Sequence, residues 1–365
     1  MTDKLLPTGI YAYLAEKVLG QDQVLKQIAV SVYKHLNGVK WGNVLLIGNS
    51  GTGKTTIMNA VTDFYREHPD LDKYQAMSVM NANTLVDEAG DVKLHRIFKD
   101  LEAGIRNRLG DDISARELQT RIENATVCLD EIDKISARIS GRVNVSGIMI
   151  QQALLTILEG ETIYLETTVL QEGKKRAVRI PVNTARMLFI CGGAFEELYD
   201  QVHLLVQSGQ DGRKLKETYV FDEATQRPER RVVFTLKEYM TLDDLFDYGM
   251  APQFISRFSA IALLENLKKE TLKHILLHAT DSPFVNAKAY FATLGIDLRI
   301  SEDALDWIAA HAEKHTRIGA RALREVFSRV IADLQFDPFG SGRLTTEDGQ
   351  QVLLVDRDML AKNSK

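Results

Sequence analysis

Cysteine, long apolar runs and an excess of charge of one sign are all scarce in this sequence. It has two cysteines in 365 residues, Cys128 and Cys191, both within apolar strand-like segments. Two cysteines can build neither a disulfide-dense scaffold nor a four-cysteine zinc site, and this usage fits a reducing compartment. No apolar run approaches the roughly 20 residues of a membrane-spanning helix, and the N-terminal segment lacks the apolar core of a signal peptide. We therefore expect a cytoplasmic protein with no membrane partner.

The charge balance and the composition set wider bounds. A total of 45 Lys and Arg residues against 50 Asp and Glu residues leaves a net charge of −5. This charge does not favour binding to nucleic acid over the whole surface, although local basic patches remain allowed. A hydrophobic share of 45% and a charged share of 26% are ordinary for a globular protein with a sizeable core. The length of 365 residues favours two domains or slightly more.

The most informative segment is GNSGTGKT at residues 48–55, which follows the apolar run VLLI at residues 44–47. A strand that enters a glycine-rich turn and leaves it through Lys-Thr into a helix is the phosphate-binding loop pattern. A chance glycine turn before a helix is the alternative. The strand, the spacing, the lysine and the threonine together favour binding of a nucleoside triphosphate.

Each residue type in this segment has a physical task. The three glycines allow several backbone N–H groups to converge on one phosphate group. Lys54 supplies a positive charge for the β- and γ-phosphates, and the hydroxyl of Thr55 can coordinate Mg²⁺. The helix predicted from Thr55 to about Tyr65 adds its positive dipole end. ATP and Mg²⁺ are the predicted cofactors, and the predicted binding residues here are Gly48, Asn49, Ser50, Gly51, Thr52, Gly53, Lys54, Thr55 and Thr56.

A second segment, TVCLDEIDKI at residues 126–135, ends an apolar strand in two carboxylates. Asp130 is predicted to stand beside Mg²⁺, which makes Thr55 and Asp130 the predicted metal ligands. Glu131 is predicted to polarise the water that attacks the γ-phosphate. A strand that merely ends in acidic residues is the alternative, because such residues are common in turns. The phosphate loop upstream favours hydrolysis over binding alone.

The rest of the chain has two different characters. Up to about residue 260, apolar strand-like runs alternate with amphipathic helical stretches, which predicts an α/β domain built on a mostly parallel sheet. Beyond about residue 265 helical periods prevail, which predicts a small, mainly helical domain. The predicted domains are therefore residues 1–264 and 265–365. The predicted strands of the first are Asn43–Ile47, Tyr74–Met80, Ala125–Asp130, Met187–Cys191 and Ala260–Leu264.

Further elements are predicted within both domains. Residues 161–182 read as a hairpin around the turn Glu172-Gly173-Lys174. Residues 201–240 are polar with weak periodicity, which predicts a long projecting loop with room for a short hairpin at Arg231–Thr235. The second domain is predicted to hold helices at Lys268–Ala279, Ser301–Lys314 and Ala320–Phe336, and a sheet of Leu298–Ile300 with Val352–Val355.

The phosphate loop and the CLDEIDKI segment together resemble an AAA+ ATPase. Neighbouring segments are similar to the ClpX family of unfoldases and, more weakly, to the HslU family. These segments are VLGQDQVLKQIAVSVYKH (18–35), VSGIMIQQALLTILEGE (145–161), MLFICGGAF (187–195), LFDYGMAPQFISRF (245–258) and GARALREV (319–326). The resemblance covers nearly the whole chain. It implies an AAA+ large domain, a small C-terminal domain, ATP hydrolysis and a homo-oligomeric, six-membered ring or spiral.

The resemblance also implies roles for single residues. Val18 and Leu19 match the apolar pair that holds adenine, although an apolar pair on an early helix alone more often packs in the core. Arg257 matches the arginine finger that reaches a neighbouring subunit's γ-phosphate, which can contribute on the order of 10³–10⁵ in rate. Its alternative is a surface salt bridge. Arg321 matches the second nucleotide sensor, with Arg324 as the alternative. The predicted catalytic residues are Glu131, Arg257 and Arg321.

Several features of the ClpX family have no counterpart in the sequence. The GYVG pore loop is replaced by EAGDV at residues 88–92, and residues 201–240 lack the IGF-type tripeptide that docks on the ClpP peptidase. The charged loop at the pore entrance is not recognisable, and we expect no cysteine-rich zinc domain. A different departure concerns AAA+ proteins in general, many of which place a polar Asn as first sensor where this strand ends Cys191-Gly192-Gly193; this ending is similar to the ClpX family and leaves the first sensor unassigned. The nucleotide residues are retained while the protease-coupling features are missing, so we expect no delivery to ClpP.

Three interpretations of the biological role follow. The leading one is an ATP-hydrolysing ring that remodels or moves a protein partner. The second is a scaffold whose assembly ATP controls, with no threading through a pore. The third is a nucleic-acid-associated motor, which would use basic residues of the hairpin and of the insert. Those residues are Lys174, Lys175, Arg176, Arg179, Arg227, Arg230 and Arg231, and a charged, solvated surface explains them as well.

Overall fold

The chain forms two compact units. A computed structural model describes residues 3–40, 42–171, 174–209, 212–215, 217–222, 227–232, 234–315 and 317–362, with backbone alone at 170, 171, 174, 217–222, 227–232, 361 and 362. The larger unit comprises Met1–Lys17, Gln23–Ile47 and Lys54–Leu263, and the smaller comprises Val18–Asp22, Gly48–Gly53 and Leu264–Lys365. The phosphate-loop segment therefore belongs to the smaller unit up to Gly53 and to the larger from Lys54 onward. None of the described helices has the length and apolar character needed to cross a membrane.

The larger unit alternates strands and helices. Its strands are β1 (Val44–Ile47), β2 (Met77–Asn81), β3 (Thr126–Asp130), β4 (Arg138–Ile139), β5 (Arg142–Val143), β6 (Thr162–Gln171), β7 (Lys174–Asn183), β8 (Leu188–Gly193), β9 (Glu217–Asp222), β10 (Arg227–Val232) and β11 (Ala260–Leu263). Its helices are α1 (Pro7–Lys17), α2 (Asp22–Leu36), α3 (Lys54–Glu67), α4 (His95–Leu109), α5 (Ala115–Glu123), α6 (Val145–Leu158), α7 (Glu196–Ser208), α8 (Leu236–Tyr239), α9 (Leu242–Tyr248) and α10 (Pro252–Ile255).

A parallel sheet with the strand order β11-β1-β8-β3-β2 organises this unit. Every residue of β1 and β8 is buried, as expected of parallel strands covered on both faces. The predicted α/β fold class with a parallel sheet is thus confirmed. The second strand starts at Met77 instead of Tyr74 because Pro69–Tyr74 forms a 3-10 helix.

The prediction of one long projecting loop at residues 201–240 is wrong. α7 continues to Ser208, because Leu198, Val202 and Val206 recur every four residues and are all buried. The hairpin of this insert is formed by β9 and β10, not by Arg231–Thr235. The side chains of Arg227, Arg230 and Arg231 lie outside the described part of the chain.

An ionic cluster around the buried Glu102 joins the antiparallel β6–β7 hairpin to α4. Glu102 is only 7% exposed and accepts hydrogen bonds from Arg106 Nε at 3.0 Å, from Lys99 Nζ at 3.1 Å and from the Thr167 hydroxyl. Arg106 also donates to the backbone oxygen of Thr168 at 2.6 Å. Burial raises the pKa of Glu102, but the hydrogen bonds from Thr167, Lys99 and Arg106 outweigh it, and the pKa is lowered overall. The turn Glu172-Gly173 lies outside the described residues.

We expect Glu102→Ala to destabilise the larger unit by about 1.5–3 kcal/mol, because it removes a buried carboxylate that accepts charge-assisted hydrogen bonds from the partly buried Arg106 and the exposed Lys99. Since the folded-state pKa is lowered, this stabilisation is present above the unfolded-state pKa and is lost as the pH falls through the folded-state pKa. Urea unfolding at neutral and acid pH measures both effects. The control is Glu325→Ala, which breaks an exposed pair with Arg329 and is expected to cost about 0–1 kcal/mol. Equal losses in the two variants would contradict the account.

The smaller unit combines helices with a three-stranded sheet. Its elements are α11 (Lys269–His278), α12 (Pro283–Ala292), β12 (Ile296–Ile300), α13 (Glu302–Lys314), α14 (Arg321–Phe336), β13 (Leu344–Glu347), β14 (Gln350–Val355) and α15 (Arg357–Lys362). β14 runs parallel to β12 and antiparallel to β13. Ser301 caps α13 as its position predicts, since its hydroxyl accepts from Ala304 N at 3.2 Å. Sequence reasoning missed α12, which starts at Pro283 after the cap Ser282.

Candidate active site

In the larger unit, the start of α3 lies beside the ends of two neighbouring strands. Thr55 Oγ1 donates a hydrogen bond to Asp130 Oδ2 at 2.8 Å. A Cβ placed on Gly192 would lie 3.5 Å from Asp130 Oδ1 and 3.6 Å from Lys54 Cδ. Because β3 and β8 are parallel neighbours, their carboxyl ends meet at the edge of the sheet where such folds bind ligands. The structure therefore brings Lys54, Thr55 and Asp130 together. Thr56 follows as an exposed residue in the first turn of α3.

The oxygens of Thr55 and Asp130 fit a magnesium site. Mg²⁺ prefers hard oxygen ligands and usually takes one or two from the protein, with waters and phosphate oxygens completing its shell. A hydroxyl and a carboxylate already 2.8 Å apart meet that requirement. Among the described residues, His, Cys, Asp and Glu form no group of three or more that could hold a metal ion without such help.

Glu131 has an unusual backbone conformation. Its φ of 56° and ψ of 36° lie in the left-handed region, which costs a residue other than glycine of order 1–3 kcal/mol and is concentrated at functional sites. The carboxylate of Asp130 holds this turn by accepting from Glu131 N at 2.9 Å. Asn83 Nδ2 approaches Glu131 Oε2 at 3.5 Å, a long hydrogen bond. Sequence reasoning missed Asn83. Its one signal was that it is a polar residue soon after β2, and β2 lies next to β3 in the sheet.

The end of β8 supplies no polar side chain to this site. A Cβ on Gly192 would also lie 3.0 Å from Met58 Cε, a tight contact. Burial raises the pKa of the Cys128 and Cys191 thiols, so both remain protonated at neutral pH. They therefore behave as small apolar residues in the sheet.

In the smaller unit, the tip of the phosphate loop packs directly on the turn before α14. Gly51 has a φ of 70°, and a Cβ there would lie 2.4 Å from the backbone oxygen of Ile318. Ala320 N donates to Gly51 O at 3.0 Å, and Arg321 Nη1 donates to Ser50 Oγ at 2.8 Å. The structure thus places Arg321 on the loop, which favours it over Arg324 as the residue that contacts the phosphate loop.

The other loop residues are held by local contacts within the smaller unit. Thr52 Oγ1 donates to Asn49 O at 2.8 Å, and Asn49 Nδ2 donates to Asn266 Oδ1 at 3.0 Å. A Cβ on Gly48 would lie 2.7 Å from Leu264 Cβ, so a larger residue would displace the loop. These contacts hold the loop against Leu264 and Asn266.

Val18 and Leu19 lie in the turn between α1 and α2, which corrects the prediction that they are on a helix. Val18 is buried, with its Cγ1 3.9 Å from the place where a Cβ on Gly53 would stand. Leu19 is half-buried. Val18 is therefore next to Gly53 of the phosphate loop.

Gln21 is a further residue that sequence reasoning missed. It is 2% exposed, and its amide donates to Thr52 O at 3.0 Å and to Glu265 O at 2.8 Å. Its oxygen accepts from Glu265 N at 3.0 Å. Gln21 thus ties the phosphate loop to the segment that precedes α11. A polar residue in a turn gave no sequence signal for this contact.

Arg257 precedes β11 at the amino end of the parallel sheet, where its backbone oxygen accepts from Asn43 Nδ2, whereas Asp130 ends a strand at the opposite, carboxyl edge. Its guanidinium pairs with Glu159, the residue that caps the C-terminal end of α6, and its side chain is 26% exposed. Among the described ion pairs it is joined to Glu159 and not to Asp130 or Glu131.

A model of the AAA domain, of the Cdc48 subfamily, matches residues 39–261. The chain belongs to the AAA domain family. In this AAA+ chain the C-terminal region also matches a family model, that of the C-terminal D2-small domain of the ClpB protein, over residues 267–353.

Two curated relatives cover nearly the whole AAA+ chain. Both are ClpX, the ATP-binding subunit of the ATP-dependent Clp protease. The protein from Treponema denticola is 28% identical over 377 residues, which is 98% of this chain and 82% of the relative. The protein from Bacteroides thetaiotaomicron is 27% identical over 348 residues, which is 91% of this chain and 77% of the relative. The chain is thus a ClpX-like AAA+ ATPase, as its motifs predict.

Proposed function

We propose that this AAA+ ATPase assembles into a homo-oligomeric ring of six subunits and uses ATP hydrolysis to remodel a protein partner. The ClpX-like family implies ATP-driven protein remodelling. The observation that carries the hydrolytic part is the Thr55–Asp130 hydrogen bond of 2.8 Å beside a Glu131 held in the left-handed region. The left-handed backbone at Glu131 supports this proposal, because such conformations are concentrated at functional sites.

The residues divide the proposed reaction among themselves. Lys54 and the backbone N–H groups of Gly48–Gly53 bind and orient the phosphates. Thr55 and Asp130 would hold Mg²⁺, and the ion would supply positive charge beside the phosphates. Glu131 orients the attacking water and accepts its proton at the carboxylate. Val18 and Leu19 hold the adenine base on an apolar surface.

The two arginines complete the proposal. Arg321, hydrogen-bonded to Ser50, senses the state of the nucleotide on the loop. Arg257 exchanges Glu159 for the γ-phosphate of a neighbouring subunit, because a phosphate with its larger charge competes well for a guanidinium. Hydrolysis therefore depends on assembly.

We further propose that the partner is not passed to ClpP. Residues 86–92, which replace the aromatic pore loop, form a closed acidic turn in which Asp87 Oδ1 accepts from Ala89 N at 3.0 Å and from Asp91 N at 2.9 Å. Lys93 pairs with Asp87 at 3.1 Å and with Asp91 at 3.2 Å. The backbone hydrogen bond from Asp91 and the contact with Lys93 lower the pKa of Asp87. A rigid acidic turn without an aromatic residue is poorly suited to grip polypeptide.

The same turn favours a second candidate, a scaffold whose assembly and release follow ATP binding and hydrolysis. The third interpretation, a nucleic-acid motor, has weaker support. The exposed basic residues on β7 are Lys175, Arg176 and Arg179. The guanidinium of Arg179 lies 4.4 Å from the centre of the Tyr164 ring, in a cation–π contact. We do not favour nucleic acid as the partner.

Unfolded polypeptide distinguishes the two leading candidates. We expect a carboxymethylated, permanently unfolded protein to raise ATP turnover at least about twofold, because remodelling couples partner engagement to the release of products. Addition of ClpP peptidase is expected to change neither turnover nor degradation of that protein. The measurement is steady-state phosphate release, with a folded protein of equal size as the control. A scaffold would respond to neither protein, and degradation with ClpP would contradict the absence of protease coupling.

A further inference from the structure

A single buried side chain, Gln151 in α6, joins two segments that are far apart in sequence. Gln151 is 2% exposed, and its Nε2 donates to Ile135 O at 2.7 Å and to Gly249 O at 3.1 Å. Its Oε1 accepts from Ala251 N at 2.7 Å. A carboxamide has two N–H donors and an acceptor oxygen, so both donors and the oxygen are used.

The two joined segments carry the two catalytic groups assigned to hydrolysis. Ile135 ends the 3-10 helix Ile132–Ile135, which begins directly after Glu131. Ala251 precedes α10, and Arg257 follows that four-residue helix. The Gln151 amide thus binds Ile135, four residues after Glu131, and Ala251, six residues before Arg257.

Other contacts at the same junction limit independent movement. Ala137 N donates to Gly249 O at 2.8 Å, and the buried Ser136 Oγ is 2.7 Å from Tyr248 O. Gly249 has a φ of 110°, and a Cβ there would lie 2.6 Å from Ser136 Oγ, so the two backbones are in close contact. Either segment could shift alone only by breaking buried hydrogen bonds, each of which leaves unsatisfied groups behind.

The helix that carries Gln151 also holds the arginine itself. Glu159 caps α6 and pairs with the Arg257 guanidinium. The backbone before Arg257 and its side chain are therefore both fixed with respect to α6, the first through Gln151 and the second through Glu159. These two contacts with α6 hold Arg257 in one position in the subunit.

We propose that Gln151 is a positioning residue that sets the place of Arg257 for the neighbouring subunit and joins it to the turn that carries Glu131 in its own subunit. This inference rests on the proposed function, because it requires Arg257 to act between subunits. It adds that the hydrolysis turn of each subunit and the arginine it offers to the next subunit move as one body. Gln151 acts through Arg257 and does not touch the nucleotide itself.

The first test is Gln151→Met, which keeps the length and volume of the side chain and removes all three hydrogen bonds. We expect kcat to fall by about 10- to 100-fold, the loss that a displacement of about 1 Å can cause, while nucleotide affinity stays within about twofold. The matched control is Gln152→Met, the exposed neighbour on the same helix, which is expected to retain the parent kcat. A parent-like kcat in a folded Gln151→Met protein would overturn the proposal.

Mixed rings separate action on the neighbour from action within the subunit. A Glu131→Gln subunit cannot hydrolyse ATP but presents an intact Arg257, so mixing it with Gln151→Met is expected to restore turnover well above that of either variant alone. A purely structural defect, or one confined to the Glu131 turn of the same subunit, would not be restored. Such a lack of recovery would overturn the proposal.

The mixture of Arg257→Ala with Glu131→Gln distinguishes failure of this inference from failure of the proposed function. Recovery in that mixture alone would support the action of Arg257 between subunits and would show that Gln151 does not position it. No recovery in either mixture would show that Arg257 does not act between subunits, which removes both.

Ser136→Ala covers the case in which Gln151→Met does not fold, as judged by its thermal unfolding. It removes a smaller tie at the same junction, the contact of Ser136 Oγ with Tyr248 O. A fall in turnover that Glu131→Gln subunits restore supports the proposal. Parent-like turnover, or a fall that those subunits do not restore, overturns it.

Discussion

Glu131→Gln is expected to bind ATP as tightly as the parent protein and to lose at least about 100-fold in turnover, the lower end of what a general base contributes. The amide has the shape of the carboxylate but cannot accept the proton of the attacking water. The phosphate-binding residues are untouched, and the hydrogen bond of 2.9 Å from Glu131 N to Asp130 Oδ1 uses only the backbone of residue 131. The loss should therefore fall on kcat and not on affinity.

Binding of a fluorescent ATP analogue and single-turnover phosphate release measure the two quantities separately. The matched control is Glu88→Gln, an exposed glutamate in the closed turn at 86–92, for which we expect the parent rate. Hydrolysis by Glu131→Gln at the parent rate would show that the base is another residue. Loss of ATP binding would instead show that Glu131 maintains the structure of the nucleotide site.

Arg257→Ala is expected to lower turnover by about 10³-fold or more while ATP is still bound, because an arginine finger stabilises charge that develops only in the transition state. Arg257→Lys is expected to remain strongly impaired, since an ammonium group cannot reproduce the planar fork of a guanidinium. Steady-state turnover measures the loss in rate, and equilibrium nucleotide binding shows whether the affinity for ATP is retained.

The control for this loss is Arg329→Ala, which removes an exposed arginine paired with Glu325 one helical turn away. It changes the net charge equally and is expected to leave turnover unchanged. A folded Arg257→Ala protein with the parent turnover would return Arg257 to the role of a surface salt bridge with Glu159.

The parts of the site that sequence reasoning predicts are those with local physical causes. Residues 48–55 combine backbone freedom, charge and a helix start in one contiguous stretch, and Asp130 and Glu131 end a strand whose apolar run is plain. The parallel sheet follows from the same alternation of apolar runs and helices. These patterns alone predict that Thr55 and Asp130 lie together, and the structure has them hydrogen-bonded.

The residues that sequence reasoning missed depend on contacts between distant parts of the chain. The helical period of α6 puts Gln151 on the buried face with Ile150 and Leu154 and leaves Gln152 exposed, but the backbone groups that Gln151 binds are set by the packing of residues 135 and 249–251. Asn83 is distinguished from other polar residues only by the order of β2 and β3 in the sheet. Propensity and periodicity contain no term for such neighbours.

The misread insert has a different cause. The buried face of α7 consists of Leu198, Val202 and Val206, but Leu204 on the same helix is 64% exposed. The exposed leucine and the polar residues around it weaken the helical period of this stretch in the sequence. Composition alone therefore suggests a loop.

ATP turnover per subunit, measured over a wide range of protein concentration, tests the central claim most directly. An active site completed by Arg257 of a neighbour requires assembly, so turnover per subunit should rise steeply with concentration and level off once rings have formed. The same titration of Arg257→Ala should stay flat near zero. Turnover that is constant down to concentrations at which the chain is monomeric would contradict a shared active site.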